Sequence, residues 1–292
     1  MLAKKSALAL SERRHESNPK NHYVIASKKV MIPAMTPTWL TETFNQARQL
    51  ILQYHASGAF WSKDKGPKDV LTEVDLALEQ LFAKALARHS PNTPLLSEET
   101  PQSHLLDLHD SLWVLDPLDG TMNFSHGFPF FAISLARIEK GELVEAWIDV
   151  PALDERLYAA AQKGAFCNGR PISVSPVATL DQALLVVSRR EKIEAAVAIQ
   201  EVLKKLTRQV QSYRRTGSAV FNYTRIAMGQ MDVFLAKDLG IWDMAAGHLL
   251  VREAGGQVLT WEANPHEDLR HGDIIAGSSV LLAQVQELFT SA

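Results

Sequence analysis

The sequence predicts a mixed α and β protein in two halves: two helices packed on a largely antiparallel sheet, then alternating strands and helices. Three observations carry this. Apolar residues recur at intervals of three and four in two separate stretches before residue 90. Short apolar, β-type runs separated by Gly-bearing turns fill residues 112–174. Beyond residue 180, helical and strand patterns alternate. With 292 residues, 46% of them hydrophobic, the chain can bury a substantial core.

Taken in order, residues 1–37 form a basic tail. Lys4, Lys5, Arg13, Arg14, Lys20, Lys28 and Lys29 outnumber Glu12 and Glu16, and no periodicity is sustained. Such a tail is expected to be disordered or weakly docked. From Thr38, the spacing of Trp39, Leu40, Phe44, Ala47, Leu50, Ile51 and Tyr54 predicts a helix, capped by Thr36 or Thr38. Ser62 to Asp69, charged and containing Gly66-Pro67, reads as a loop. A second amphipathic helix follows from about Thr72 to His89, with Val74, Leu78, Leu81, Phe82 and Leu86 in its apolar set. Leu95-Leu96 begins a short strand that ends at Ser97-Glu98-Glu99, and Leu112 to Leu115 reads as a buried strand.

Further strands are expected over Phe130–Glu139, Leu143–Asp149, Arg156–Ala161 and Pro171–Val174, with Asn168-Gly169 as a hairpin signal. In the second half, strands are expected at Ala183–Ser188, Gln211–Tyr213, Phe234–Leu235, Gln257–Leu259 and Ile274–Ala276. Helices are expected at Lys192–Leu206, Gly217–Met228, Met244–Ala254 and Val280–Phe289. The boundary between the halves is placed near 178, giving 38–178 and 179–292 as two parts of one composite unit.

The charge balance excludes several functions. A formal charge of -3 leaves no basic footprint for a nucleic-acid polymer. The single cysteine, Cys167, excludes an internal disulfide and a cysteine-based structural zinc site, and fits a reducing compartment. Apolar stretches such as Phe128–Ala136 are too short to span a bilayer. A soluble, cytoplasmic protein is expected.

The most informative segment is Asp116-Pro117-Leu118-Asp119-Gly120-Thr121, directly after the buried strand. Two carboxylates three residues apart, with a hydroxyl behind them, are seldom placed at a strand end without a cation to offset them. Taken alone, the segment also reads as a polar turn. Other acids stand at element ends: Asp75, Glu98, Glu99 and Asp243. Each has a plain alternative: Asp75 as a first-turn helix acid, Glu98-Glu99 as part of a helix cap, and Asp243 as an N-cap. As a set they offer only oxygen ligands, with no competing His/Cys cluster. This selects a hard cation such as Mg²⁺, with positions left for water and phosphate. If the segment after the turn is helical, the Gly120 and Thr121 amides add an anion site beside the metals. Together these are the parts for hydrolysing a phosphoryl group.

Five blocks resemble the inositol monophosphatase family of Mg²⁺-dependent, lithium-sensitive sugar phosphatases, over about Thr38 to the C-terminus. They are Asp69–Asp75, Leu96–Glu99, Trp113–Phe124, Lys163–Ile172 and Trp242–Gly247, with Glu253-Ala254-Gly255-Gly256 behind the last. The resemblance implies a layered αβαβα sandwich and often a homodimer. It implies two or three Mg²⁺ ions, with Glu98, Asp116 and the Leu118 carbonyl as ligands of the first. Asp116 would bridge to a second ion held also by Asp119 and Asp243. Thr121, supported by Asp75, would orient the attacking water, with Glu98 as proton acceptor. The Gly120 and Thr121 amides would hold phosphate, and Gly217-Ser218-Ala219 would line the substrate side.

The substrate is the open point. Met122-Asn123-Phe124 looks like the inositol phosphate version of the motif. The family commonly carries a glutamate six residues before the Trp of Trp242-Asp243, contacting inositol hydroxyls, and this chain has Ala236 there. Inositol 1-phosphate is the expected small phosphorylated substrate. The alternatives are a 3′(2′),5′-bisphosphate nucleotide, fructose 1,6-bisphosphate or histidinol phosphate, and after these a non-catalytic regulatory role. Arg214-Arg215, just ahead of Gly217, reads either as a contact for a second phosphate or as a basic surface strand.

Overall fold

The computed structural model describes residues 13–14, 36–58, 60–66, 69–100, 110–189, 203–261 and 264–290. Apart from Arg13–Arg14 and Thr36-Pro37, the tail expected at residues 1–37 lies outside them, as does the expected helix Lys192–Leu206 apart from residues 203–206.

Along the chain the strands are β1 (Arg13–Arg14), β2 (Trp61–Gly66), β3 (Asp69–Thr72), β4 (Leu95–Ser97), β5 (Leu112–Asp119), β6 (Ala132–Glu139), β7 (Glu142–Val150), β8 (Glu155–Ala160), β9 (Gly164–Cys167) and β10 (Arg170–Pro171). Then come β11 (Leu184–Arg189), β12 (Ser212–Arg214), β13 (Val233–Lys237), β14 (Gln257–Thr260) and β15 (Ile274–Gly277). The helices are α1 (Thr38–Ser57), α2 (Glu73–His89), α3 (Thr121–Ser125), α4 (Ala219–Ala227), α5 (Ile241–Glu253) and α6 (Ser279–Thr290).

A seven-stranded sheet runs in the order β10-β9-β8-β7-β6-β5-β4, antiparallel except for the parallel β4–β5 pair. A five-stranded sheet runs β12-β11-β13-β15-β14, with β11 parallel to both its neighbours. The period-2 alternation of side chains assigns the faces. In β6, Ile133 and Leu135 join Leu40, Phe44, Leu78 and Phe82 of α1 and α2. Ala132 and Ala136 of the same strand join Tyr223, Met244 and Leu249 of α4 and α5. In β13, Phe234 and Ala236 face that same helix pair, while Val233 and Leu235 pack with Leu281 and Val285 of α6.

The layers are therefore α1/α2, seven-stranded sheet, α4/α5, five-stranded sheet, α6, which is the expected αβαβα sandwich. The middle helices touch a sheet on each side, and this explains why α5 is buried almost continuously from Met244 to Val251.

Most predicted elements fall within a few residues of their observed bounds. The Asn168-Gly169 hairpin is one, with φ of 49° and 77° at its two residues. Four expectations need correction. The strand expected at Pro171–Val174 ends at Pro171, and its hairpin partner is β9 at Gly164–Cys167. Of the charged stretch 62–69, read as a loop, the described residues lie in β2 and β3, which pair antiparallel with Ser62 opposite Thr72 and Lys63 opposite Leu71. Its pairing comes from backbone hydrogen bonds, to which strand propensity is a weak guide. Thr36 does not cap α1; its hydroxyl accepts from Trp147 Nε1 at 3.1 Å, and Pro37 takes the cap position. Asp243 is not the N-cap of α5. Gly240 is, and Asp243 sits at the third position, accepting from the Gly240 amide at 2.7 Å.

Where the two middle helices cross, a Cβ on Gly247 would lie 2.2 Å from Tyr223 Cγ. The crossing distance is set by the absent side chain, and Asp243 rides on the same helix one turn earlier. Gly247→Ala is therefore expected to lower stability by about 1–3 kcal/mol through overpacking. Urea unfolding checks this, and an unchanged midpoint would mean that the α4–α5 contact can relax freely.

Candidate active site

The site grows from the end of β5, which is buried along its whole length. Against β6 its register slips: Asp116 faces Ser134 and Asp119 faces Ala132, so three steps on one strand match two on the other. This bulge fits Pro117, which has no amide to give a ladder, and turns the strand end out of its regular alternation. Asp116 Oδ1 accepts from the Leu118 amide at 3.0 Å, while its Oδ2, fully buried, has no hydrogen-bond partner among the described residues.

Gly120 then takes φ 88°, and a Cβ there would come within 2.8 Å of the Phe130 carbonyl oxygen. The chain turns directly into α3, so Thr121 opens a short helix as expected. Its hydroxyl lies 3.1 Å from Asp75 Oδ1 and 2.9 Å from the Leu118 carbonyl oxygen, and its single proton can serve one of them at a time.

Asp75 reaches the site from the first turn of α2. Its Oδ2 accepts from the Thr72 amide at 2.8 Å and from the Thr72 hydroxyl, while the Thr72 oxygen receives the Val74 amide at 3.2 Å. This is a capping box with Asp in the third position. The plain reading of Asp75 as a helix-start acid and its placement in the site are thus both true: one oxygen caps, the other meets Thr121.

Asp119 is enclosed by the start of α4. It accepts from the Ser218 hydroxyl, from the Val220 amide at 2.8 Å and from the Ala219 amide at 3.3 Å. The expected substrate-side residues Gly217, Ser218 and Ala219 are brought to the site, but here Ser218 and Ala219 direct their donors to Asp119. Gly217 has φ 87°, and a Cβ on it would be 2.8 Å from Asn123 Oδ1. Asn123 Nδ2 donates to the carbonyls of Phe130 at 2.7 Å and Thr216 at 2.8 Å, tying α3 to the segment that starts α4. Asn123 stood in the motif without a role. One of its two partners, Thr216, lies 93 residues away, which no local pattern reveals.

Asp116, Asp119 and Asp243 each present a carboxylate oxygen, all within 4.8 Å of one another. Glu98 is outside that trio, but it is held beside Asp116, its amide donating to the Leu115 carbonyl at 3.2 Å. Burial raises the pKa of Asp116 well above the ordinary value, and the charges of Glu98, Asp119, Asp243 and Asp75 raise it further. Asp119 is pushed up to about 7, first by burial and then by Asp243, against the pull of its three donors. Carboxylates so crowded bind either protons or a cation. The unpartnered Oδ2 of Asp116 and the all-oxygen donor set fit a hard divalent ion.

Around this centre, Ala236 is fully buried in β13 among Phe234, Ile274 and Ala276. Lys237 pairs with Asp273 and lies 5.0 Å from the centre of the Trp261 ring. Arg214 bonds locally, its Nη1 donating to the Ser212 hydroxyl at 2.7 Å and to the Tyr213 carbonyl at 2.9 Å on the exposed strand β12.

The family model described as "Inositol monophosphatase family" matches residues 39–291. A Thermotoga maritima protein named fructose-1,6-bisphosphatase/inositol-1-monophosphatase is 37% identical over 196 residues, covering 67% of this chain and 73% of its own. The Nus factor SuhB of Pseudomonas aeruginosa is 39% identical over 220 residues, covering 74% and 81%. The crystal structure of the extragenic suppressor protein suhB from Bartonella henselae superposes with a TM-score of 0.78 at 29% identity, over 87% of this chain and 99% of its own. The chain therefore belongs to the inositol monophosphatase family of phosphatases.

Proposed function

We propose that the protein hydrolyses a small phosphate monoester, inositol 1-phosphate foremost, by means of water activated at two or three Mg²⁺ ions. One observation carries the reading: three buried carboxylates converge within 4.8 Å, and the most buried of them keeps an oxygen with no hydrogen-bond partner among the described residues. Glu98, Asp116, the Leu118 carbonyl, Asp119 and Asp243 would hold the ions. Bound there, Mg²⁺ would supply a nucleophilic water near neutral pH and offset charge on the phosphoryl group.

The chain's own residues do the rest. Asp75 fixes the Thr121 hydroxyl, which orients the attacking water, and Glu98 accepts its proton. The amides of Gly120 and Thr121 bind phosphate oxygens, and the segment Gly217-Ser218-Ala219 lines the substrate side. Asp119 and Asp243 serve both the cations and the substrate side.

A second reading is favoured by Ala236. With no carboxylate there to engage inositol hydroxyls, a bisphosphate substrate such as a 3′(2′),5′-nucleotide or fructose 1,6-bisphosphate stays in play, with histidinol phosphate behind it. The Thermotoga relative's name carries both sugar activities. The SuhB relatives, named Nus factors, bring a regulatory role into the comparison, though the acid set here is complete. In the favoured reading the protein is a lithium-sensitive, cytoplasmic homodimer with no nucleic-acid polymer or membrane as its partner. No helix among the described residues is long and apolar enough to cross a membrane.

Three outcomes are expected. Purified protein with Mg²⁺ releases phosphate from inositol 1-phosphate faster, as kcat/KM, than from the bisphosphates; the reverse order would move the function to the second reading. Asp116→Asn and Thr121→Val each lower kcat by about 100-fold or more, whereas Thr121→Ser keeps most of it; full turnover in either crippled variant would unseat its assigned role. The last concerns pH. The folded chain holds a proton at Asp119 up to about pH 7, while the unfolded carboxyl releases it near 3.8. Stability of the metal-free protein therefore falls as pH rises between those values, and a cation competes for the same oxygens. The rise in Tm produced by Mg²⁺ should be larger at about pH 7.5 than at about pH 5, and an equal rise at both would contradict the assignment.

A further inference from the structure

Helix α2 carries two buried carboxylates one turn apart. Asp75 is 1% exposed and Glu79 is 8% exposed, and four residues of separation put them on one face. Asp75 serves Thr121, as described above. Glu79 serves another loop: its Oε1 accepts a hydrogen bond from the Thr100 hydroxyl at 2.5 Å. Thr100 stands two residues after Glu98, so Glu98 sits between two restraints. On one side its own amide is bonded to the Leu115 carbonyl of β5, next to Asp116. On the other, Thr100 is anchored to α2.

Burying a carboxylate is unfavourable unless donors compensate, and an apolar side chain would fill the same space on α2 without that cost. Stability alone therefore gives no account of an acid at 79. Its hydrogen-bond partner does, because Thr100 belongs to the turn that carries Glu98. We infer that Glu79 is a positioning residue, which through Thr100 fixes the 98–100 turn and so aims Glu98 at Asp116. The inference rests on the reading of Glu98 as a cation ligand. In this arrangement α2 acts as a ruler: one turn of helix sets the distance between the Thr121 hydroxyl, held by Asp75, and the Glu98 carboxylate, held through Glu79.

The test is Mg²⁺ affinity measured by isothermal titration calorimetry on the full chain, with unfolding temperatures recorded alongside. Glu79→Ala and Thr100→Val are each expected to weaken Mg²⁺ binding about tenfold, the lower end of what loss of a ligand-orienting partner costs. The double variant should bind no more weakly than the weaker single one, since both remove the same bond. Glu79→Gln, which keeps an acceptor oxygen, and Thr100→Ser, which keeps the hydroxyl, should stay within about threefold of the parent.

Thr100 is an exposed residue, so Thr100→Val tests the idea even if Glu79→Ala does not fold. Parent-like affinity in Glu79→Ala and Thr100→Val, with binding lost in Asp116→Asn, would overturn the role of Glu79 and leave the cation centre standing. Parent-like affinity in Asp116→Asn as well would mean that the centre itself is misplaced, and the inference would fall with it.

Discussion

Everything in this molecule turns on the mutual repulsion of acids gathered at the buried end of one strand. Asp116 feels Glu98, Asp119, Asp243 and Asp75, and it lies where water cannot screen them. Like charges in such a place are tolerated only with a proton or a cation among them, or with dense hydrogen bonding to each oxygen. Asp119 and Asp75 take the hydrogen-bonded course, with three donors to one and Thr72 twice to the other. Asp116 does not: among the described residues its Oδ2 has no hydrogen-bond partner, and this is where a bound cation would offset the charge.

The fold exists, in functional terms, to hold those acids still. They come from four separate elements: α2, the end of β4, the bulged end of β5, and α5. The two faces of the seven-stranded sheet bring them together, since α2 packs on one face and α4 and α5 on the other. Close approach is bought with small residues: Gly247 lets Tyr223 lie against α5, and Gly120 lets α3 begin beneath the Phe130 carbonyl. Rigid cores on both sides of β5 turn a repulsive arrangement into a preorganised one.

Much of this was legible in the sequence because local signals agreed with tertiary demands. The run Leu112 to Leu115 reads as a buried strand, and it is one, but the acids that follow, read as a turn, stay in that strand as a bulge, and the chain turns only at Gly120. The pattern at Met244–Ala254 reads as a helix, and α5 spans Ile241–Glu253 between two sheets. What escaped has a common cause. The pairing of β2 with β3 involves the charged residues Lys63, Asp64, Lys65 and Asp69 and is a backbone matter, so propensity gives no hint of it. The N-cap of α5 is a glycine, which offers no side-chain signal, so the nearby Asp243 was given its place. Glu79 and Asn123 act through residues 21 and 93 positions away, and such bonds leave no periodic trace. The identity of the ester is a different matter. It depends on what meets the substrate's hydroxyls, and at the position where the family's glutamate would stand there is a buried alanine.

The central claim is that the acids at the end of β5 form a cation centre. Anomalous diffraction from crystals soaked in Mn²⁺ tests it most directly, since Mn²⁺ takes the same oxygen ligands as Mg²⁺ and reports its own position. The account predicts an anomalous peak bounded by the carboxylates of Asp116, Asp119 and Asp243, with Glu98 turned toward it. Crystals that bind Mn²⁺ elsewhere, or hold none among these carboxylates at saturating concentration, would contradict it.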